Sequence, residues 1–110
     1  MTVESFSVDG VDFRKNDQTM AAPGDTEPLR LTHEVCVQIA GTATAINATV
    51  LRSPDGASDN YSPAGDVLSG NPAAGMNIKR YAEPSESFWK VRVNSITGSA
   101  KVHISGQSAQ

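Results

Sequence analysis

The side chains that could act as nucleophiles or bases are few in this sequence. Cys36 is the single cysteine and His33 and His103 are the two histidines, so a thiol nucleophile would need one of them as its base. Cys36, however, stands inside an alternating pattern typical of a β-strand, where a thiol is commonly a small packed side chain. The chain also lacks the Gly-x-Ser-x-Gly elbow that presents a catalytic serine. We therefore expect no enzymatic activity.

Two groups of carboxylates raise the possibility of hydrolytic or metal-dependent chemistry. Glu83 and Glu86 flank a Pro-Ser pair and could be the two acids of a glycoside hydrolase, but the pattern is more typical of a solvated turn. Asp55, Asp59 and Asp66 offer hard oxygen ligands on a loop, without the ordered spacing of an EF-hand. A structural zinc site would need more Cys and His than the chain has. We expect no metal and no cofactor.

Composition and charge restrict which other classes of function are expected. The chain has 110 residues and a net charge of −3, with its nine Lys and Arg scattered, which argues against binding a phosphate backbone. With a single cysteine it cannot form an intrachain disulfide. The N-terminal residues resemble no secretory signal, and no apolar run approaches the ~20 residues of a membrane span. We expect one domain, synthesised in a cytoplasm and independent of nucleic acid and membrane.

Two-residue periodicity dominates the middle of the chain and predicts β-strands. Val35, Val37 and Ile39 share one face, and residues 46–51 alternate in the same way. The small residues 40–42 between these runs predict either an antiparallel hairpin or one continuous bent strand. A further strand is predicted from Met76 to Tyr81, ended by Glu83 and Pro84.

The C-terminal third has the most regular alternation. Trp89, Val91 and Val93 should point inward, with Phe88, Lys90 and Arg92 on the opposite face. A second run covers residues 100–105, and Thr97, Gly98 and Ser99 between the runs predict a turn that pairs them as a hairpin. No segment has sustained apolar spacing of 3.6 residues, so helix content should be small.

The N-terminal region differs in character. Phe6, Val8 and Phe13 flank an Asp9-Gly10 pair that can turn a hairpin. Residues 15–28 are polar and contain proline and glycine, which predicts an extended arm or loop, lying either on the surface of the same subunit or on a neighbouring one. We divide the chain into a strand and arm over residues 1–28 and a β-sandwich body over 29–110. The predicted fold is one all-β domain, an antiparallel sandwich of jelly-roll or immunoglobulin-like type.

A resemblance to a known protein family adds to the prediction of fold and function. The stretch from Tyr81-Ala-Glu-Pro-Ser-Glu-Ser-Phe-Trp-Lys-Val-Arg-Val to Ser95-Ile-Thr-Gly-Ser-Ala-Lys-Val-His-Ile-Ser-Gly resembles the C-terminal hairpin of small tailed-phage virion proteins. The run Val37-Gln-Ile-Ala-Gly-Thr-Ala-Thr, leading to Arg52-Ser-Pro-Asp-Gly, is similar to the strands before it. The likeness covers roughly residues 29–106. It implies a head decoration or cement protein on the capsid exterior, a homotrimer that binds the major capsid protein and stabilises the shell.

Several contact residues follow as expectations. For partner binding we expect a set of aromatic and cationic side chains: Phe6, Phe13, Tyr61, Phe88, Lys90 and Arg92. The residue segment 15–28 and the loop 57–75 are natural contact elements because such segments can order on binding. The alternative function is a host-recognition module of a tail fibre or baseplate, in which exposed aromatics such as Tyr61, Tyr81, Phe88 and Trp89 would stack on a glycan. A small hydrolase using Cys36 or His103 is a third class.

Overall fold

The computed structural model describes residues 3–65, 67–76 and 78–108, with only the backbone described for residues 83–86. Within this part of the chain no helix is long and apolar enough to cross a lipid bilayer. The one helical segment there is a 3₁₀ turn at Pro72–Ala74. The strands are β1 (Val3–Val8), β2 (Val11–Met20), β3 (Gly24–Asp25), β4 (Leu29–Gly41), β5 (Ala45–Ser53), β6 (Ser62–Pro63), β7 (Leu68–Gly70), β8 (Lys79–Thr97) and β9 (Ala100–Ser108).

The prediction of an all-β antiparallel sandwich is confirmed. All strands join one nine-stranded sheet in the order β1-β2-β9-β4-β8-β5-β6, with β3 added to β8 and β7 added to β5. The 19-residue β8 connects the two layers, because it pairs with β4 over Lys79–Trp89 and with β5 over Phe88–Thr97. The buried face forms one apolar cluster, so the sheet folds over to enclose it.

The predicted alternation identifies the core correctly. Val35, Val37 and Ile39 on β4 are buried, as are alternate residues of β5 and β9. On β8, Trp89 lies at the centre with no exposed surface, and its ring centroid is 5.6 Å from that of Tyr81. Fully burying a large apolar side chain contributes about 1.5–3 kcal/mol, so these inward faces supply most of the stability.

Both predicted hairpins between core strands are wrong. β4 and β5 do not pair with each other, because β8 lies between them. β8 and β9 do not pair either, and β9 instead pairs with β4 on one side and β2 on the other. The reason is geometric: the end of β8 pairs with β5 on one edge, and β3 pairs with Arg92 and Val93 on the other, so the chain after Thr97 crosses to a different edge.

The strand predicted to stop at Glu83 and Pro84 continues through them. The pairing of β4 with β8 shifts register between Leu31 and His33, opposite this segment, and His33 has a φ of 61°. Such an irregularity accommodates proline, which cannot donate to a ladder. At the other end the strand begins at Lys79, and Asn77 of the predicted run lies outside the described residues.

The N-terminal hairpin is confirmed. Asp9 and Gly10 have φ values of 52° and 81°, the left-handed pair that a two-residue type I′ turn requires, and Val8 pairs with Val11 across it. Residues 15–28, predicted as an extended arm or loop, lie along the body. β2 pairs with β9, β3 pairs with β8, and the Thr26 backbone N–H donates to the Val91 carbonyl at 2.9 Å.

Candidate functional site

The most exposed apolar surface among the described strands lies on the β1–β2 hairpin. Phe6, Val8 and Val11 are 39%, 51% and 39% exposed, and Phe13 is half-buried beside them. The Phe6 and Phe13 rings stack, with centroids 5.4 Å apart and planes 17° from parallel. We call these four residues the hairpin stripe. Large apolar side chains grouped on one exposed face are a common feature of binding surfaces.

Strand alternation explains why the stripe faces solvent. The register pairs Phe6 with Phe13 and Val8 with Val11, so all four side chains stand on the outer face of the sheet. Val3, one residue out of phase with this set, instead packs against the core. At the far end of the stripe the Lys15 ammonium lies 3.9 Å from the Glu4 carboxylate.

A shallow hollow adjoins the stripe on this outer face. It encloses about 240 Å³ and is lined by Phe13, His33, Glu34, Cys36, Ser105, Gly106 and Gln107. Cys36, which is half-buried, and His33 both line this hollow. No group of three or more His, Cys, Asp and Glu residues in the described part of the chain is arranged to hold a metal ion.

A polar row crosses β2 and β9 beside the hollow. His103 Nδ1 contacts Asp17 Oδ1, and His103 Nε2 lies 3.1 Å from Ser105 Oγ. The Lys15 ammonium is 3.5 Å from the other oxygen of the Asp17 carboxylate. The hydrogen bond with His103 is the main cause that lowers the pKa of Asp17. Because Asp17 pairs with His103 directly across the strands, the register itself sets this contact.

The row has the order of a serine triad, and acyl transfer has one further requirement. Such a reaction needs hydrogen-bond donors aimed at the developing oxyanion. β9 lies between β2 and β4, and Ser105 pairs with Lys15 on one side and Cys36 on the other, so the backbone groups around it belong to the ladders. The geometry favours a role in joining β2 to β9.

A second cluster surrounds the outward face of β8. The Lys90 ammonium lies 2.8 Å from Asp25 Oδ2 and 4.2 Å from the centroid of the Tyr61 ring, and Lys90 is only 8% exposed. Arg92 Nε donates to Asp25 Oδ1 at 2.8 Å. Arg92, followed by Lys90, lowers the pKa of Asp25 to about 2, and burial raises the pKa of Tyr61.

Phe88 lies further along the same face of β8. The Arg30 guanidinium is 5.8 Å from its ring centroid, and the ring stands close enough to Gly56 that an added Cβ there would lie 3.1 Å from it. Phe88 is half-buried as a result. Trp89 points the opposite way, into the core, as predicted.

The six predicted contact residues thus fall in three places. Phe6 and Phe13 meet in the hairpin stripe, and Tyr61, Lys90 and Arg92 form one cluster with Asp25. Phe88 lies apart from both, beside Arg30 and Gly56. Sequence reasoning missed Asp25, which no local pattern distinguishes, because β3 reaches β8 only in the folded sheet.

Of the carboxylates considered for catalysis or metal binding, Asp55 has hydrogen-bond partners within its own turn. The Asp55 carboxylate accepts from the Ala57 N–H at 3.0 Å and from Ser53 Oγ at 3.1 Å, within its own turn. Asp66 and the side chains of Glu83 and Glu86 lie outside the described residues.

Comparison with known proteins gives one informative likeness. No family model and no curated protein matches the chain. The crystal structure of the SPBc2 prophage-derived protein YomS superposes with a TM-score of 0.58 at 16% identity, over 94% of this chain and 99% of YomS. At this identity the match shows a shared fold.

Two Drosophila melanogaster CENP-C structures match far less well. CENP-C bound to CAL1 and the CENP-C cupin domain both give a TM-score of 0.37 at 9% identity. Each match covers 96% of this chain, with 80% of the first chain and 75% of the second. Scores this low carry no argument about this protein.

Proposed function

We propose that this chain is a bacteriophage virion protein that binds the outer surface of the capsid and stabilises the shell. The observation that carries the proposal is the likeness to YomS, a prophage-derived protein, over nearly the full length of both chains. The resemblance of residues 29–106 to small tailed-phage virion proteins supports the same class. The major capsid protein is the proposed partner.

The hairpin stripe is the proposed contact with the capsid. Three of its four side chains are exposed, Phe13 is half-buried beside them, and a type I′ hairpin holds all four, so little ordering is needed before binding. Burying the exposed parts of Phe6, Val8 and Val11 against a partner would contribute about 1 kcal/mol each. Contacts of this strength become effective when many copies bind one lattice.

Several cationic side chains are already paired with carboxylates of the same chain, which supports the apolar stripe as the binding surface. Lys90 and Arg92 are paired with Asp25, and His103 is paired with Asp17. Trp89, which a glycan-binding module could have used as a stacking platform, is buried in the core. The ion pairs join neighbouring strands and Trp89 packs in the core, which supports the stripe as the proposed contact element.

Immunogold labelling of purified particles, from a phage whose genome encodes this chain, tests the proposal. Labelling over the heads is the expected result. Labelling confined to tails would favour a tail-fibre or baseplate module, and unlabelled particles would overturn a virion role altogether.

A pair of matched variants tests the assigned surface. Val8→Asp places a charge in the stripe, whereas Val67→Asp changes a residue of similar exposure, 49%, at a separate hollow lined by Leu68 and Met76. We expect Val8→Asp to weaken binding to heads that lack the protein, while Val67→Asp binds normally. Equal binding by both variants would remove the stripe from the interface.

A further inference from the structure

We propose that β1 pairs with β1 of a second copy, antiparallel about a two-fold axis at Phe6, so that the sheets of two subunits join. In the described chain β1 stands at one end of the strand order and pairs only with β2. Its outer edge therefore presents a row of unpaired backbone groups, which is the usual template for strand addition.

The two ends of the sheet are protected differently. At the far end the outer strands β6 and β7 are only two and three residues long, and β6 contains Pro63. Short strands and proline are common means of blocking edge pairing. β1 has six residues, no proline and no lysine, and its register with β2 runs without a bulge. Its one charged residue, Glu4, is already near Lys15 of the same chain. β1 is therefore an edge open to pairing.

Hairpin geometry fixes which groups face outward. In a two-residue hairpin the flanking residues, here Val8 and Val11, form a hydrogen-bonded pair, and the bonding then alternates along the strand. The backbone N–H and C=O groups of Val3, Ser5 and Ser7 consequently point away from β2. These are the groups available to another strand.

The sequence of β1 is complementary to itself in one antiparallel register. With Phe6 opposite Phe6 of the second copy, Ser5 lies opposite Ser7, so the outward-pointing backbone groups meet in hydrogen-bonded pairs. Both copies then present their hairpin stripes on the same side of the joined sheet. The stacked rings of Phe6 and Phe13 continue into those of the second copy as one aromatic row. Glu4 lies opposite Val8, so no like charges oppose each other.

A second copy is the occupant that this pattern favours. Two-fold pairing uses the same surface on both subunits and closes on itself, giving a dimer rather than the trimer that the family resemblance implies. The paired edge is short compared with a standard interface of roughly 1,600 Å², so the dimer should dissociate on dilution. The inference concerns the protein alone and stands whether or not it binds capsids.

Ser5→Pro tests the pairing directly. The Ser5 N–H points away from β2, so proline removes a donor to the second copy while leaving the hairpin's own bonds, as edge strands tolerate. Ser5→Ala is the matched control. By light scattering at rising concentration we expect wild type and Ser5→Ala to approach twice the 11.6 kDa chain mass, and Ser5→Pro to remain at 11.6 kDa. A monomeric wild type, a trimer mass, or a folded Ser5→Pro that still dimerises would overturn the proposal.

Disulfide trapping tests the register without relying on a proline variant. In a Cys36→Ser background, Phe6→Cys puts its thiols in a non-hydrogen-bonded pair about 4.5 Å apart at Cα, within the range a disulfide spans. Val11→Cys is the control, because its exposure is also 39% but it lies on β2, away from the axis. We expect mild oxidation to give a covalent dimer at least tenfold faster for Phe6→Cys. Equal rates would exclude this register.

Discussion

Replacing Asp25 by asparagine should destabilise the protein more than its partial exposure suggests. This carboxylate is the shared anion for Lys90 and Arg92, at 2.8 Å from each. Lys90 is nearly buried, with the Tyr61 ring as the other neighbour of its ammonium. An asparagine side chain keeps the shape of the aspartate while removing its charge, so the measured loss reports mainly electrostatics.

The magnitude follows from the pKa and from burial. The pKa of Asp25 is lowered from 3.8 to about 2, chiefly by Arg92 and then by Lys90. Each unit corresponds to about 1.4 kcal/mol, and because the side chain is 32% exposed, solvent screening reduces the net effect to about 1 kcal/mol. Leaving the Lys90 ammonium buried without its anion adds about 1–2 kcal/mol. We expect Asp25→Asn to lower the free energy of unfolding by about 2–3 kcal/mol.

Urea unfolding followed by the fluorescence of the single tryptophan measures this loss, since Trp89 is fully buried in the native state. Lys90→Met and the double variant complete a cycle, in which the double variant should lose about 1–2 kcal/mol less than the sum of the single ones. If Asp25→Asn stays within about 0.5 kcal/mol of wild type, or if the losses are additive, the reasoning about the buried ammonium is refuted.

Acid sensitivity supplies a further check on the same carboxylate. A lowered folded pKa means that the stabilisation by Asp25 is complete above its ordinary value of 3.8 and is lost as pH falls toward 2. Wild type should therefore lose more stability than Asp25→Asn across this interval. Parallel stability curves for the two proteins would contradict the assignment.

Three other predictions concern the core, a connection and the polar row. Trp89→Ala should lower the free energy of unfolding by about 3–5 kcal/mol, measured by urea unfolding with circular dichroism, because it leaves a large cavity in the core beside β8. Gly98→Ala should cost about 1–3 kcal/mol in the same assay, since Gly98 has a φ of 98° and an added Cβ would lie 3.0 Å from Ala43 Cα; a loss below about 0.5 kcal/mol would contradict this. Asp17→Asn should lose less stability than wild type as pH falls below 3.8, because His103 is the main cause that lowers the pKa of Asp17 in the folded protein; an unchanged acid transition would contradict that role.

Alternation in the sequence was sufficient to locate the core strands and their inward faces. Trp89, Val91 and Val93 are buried as expected, because the two-residue period depends only on local backbone geometry. Strand neighbours could not be found in the same way. The small residues 40–42 and 97–99 favour local hairpins, but the pairing is decided by which edges remain available, and β8 occupies the position between β4 and β5.

The candidate site was predictable only where it is local. Phe6 and Phe13 flank an Asp-Gly turn, and that turn alone is enough to bring their rings together. Lys90 lies on the predicted outer face, yet it is buried because Asp25 and Tyr61 approach from distant parts of the chain. The contact of His103 with Asp17 spans 86 residues and depends on the register of β2 with β9.

The central claim, that this protein binds a capsid exterior, is tested most directly by titrating it onto purified heads that lack it. Bound protein is measured by co-sedimentation, and DNA retention is measured on heating. The account predicts saturable binding at a fixed ratio to the major capsid protein, together with greater heat resistance of the decorated heads. Binding that does not saturate, or heads that lose DNA at the same temperature with and without the protein, would contradict it.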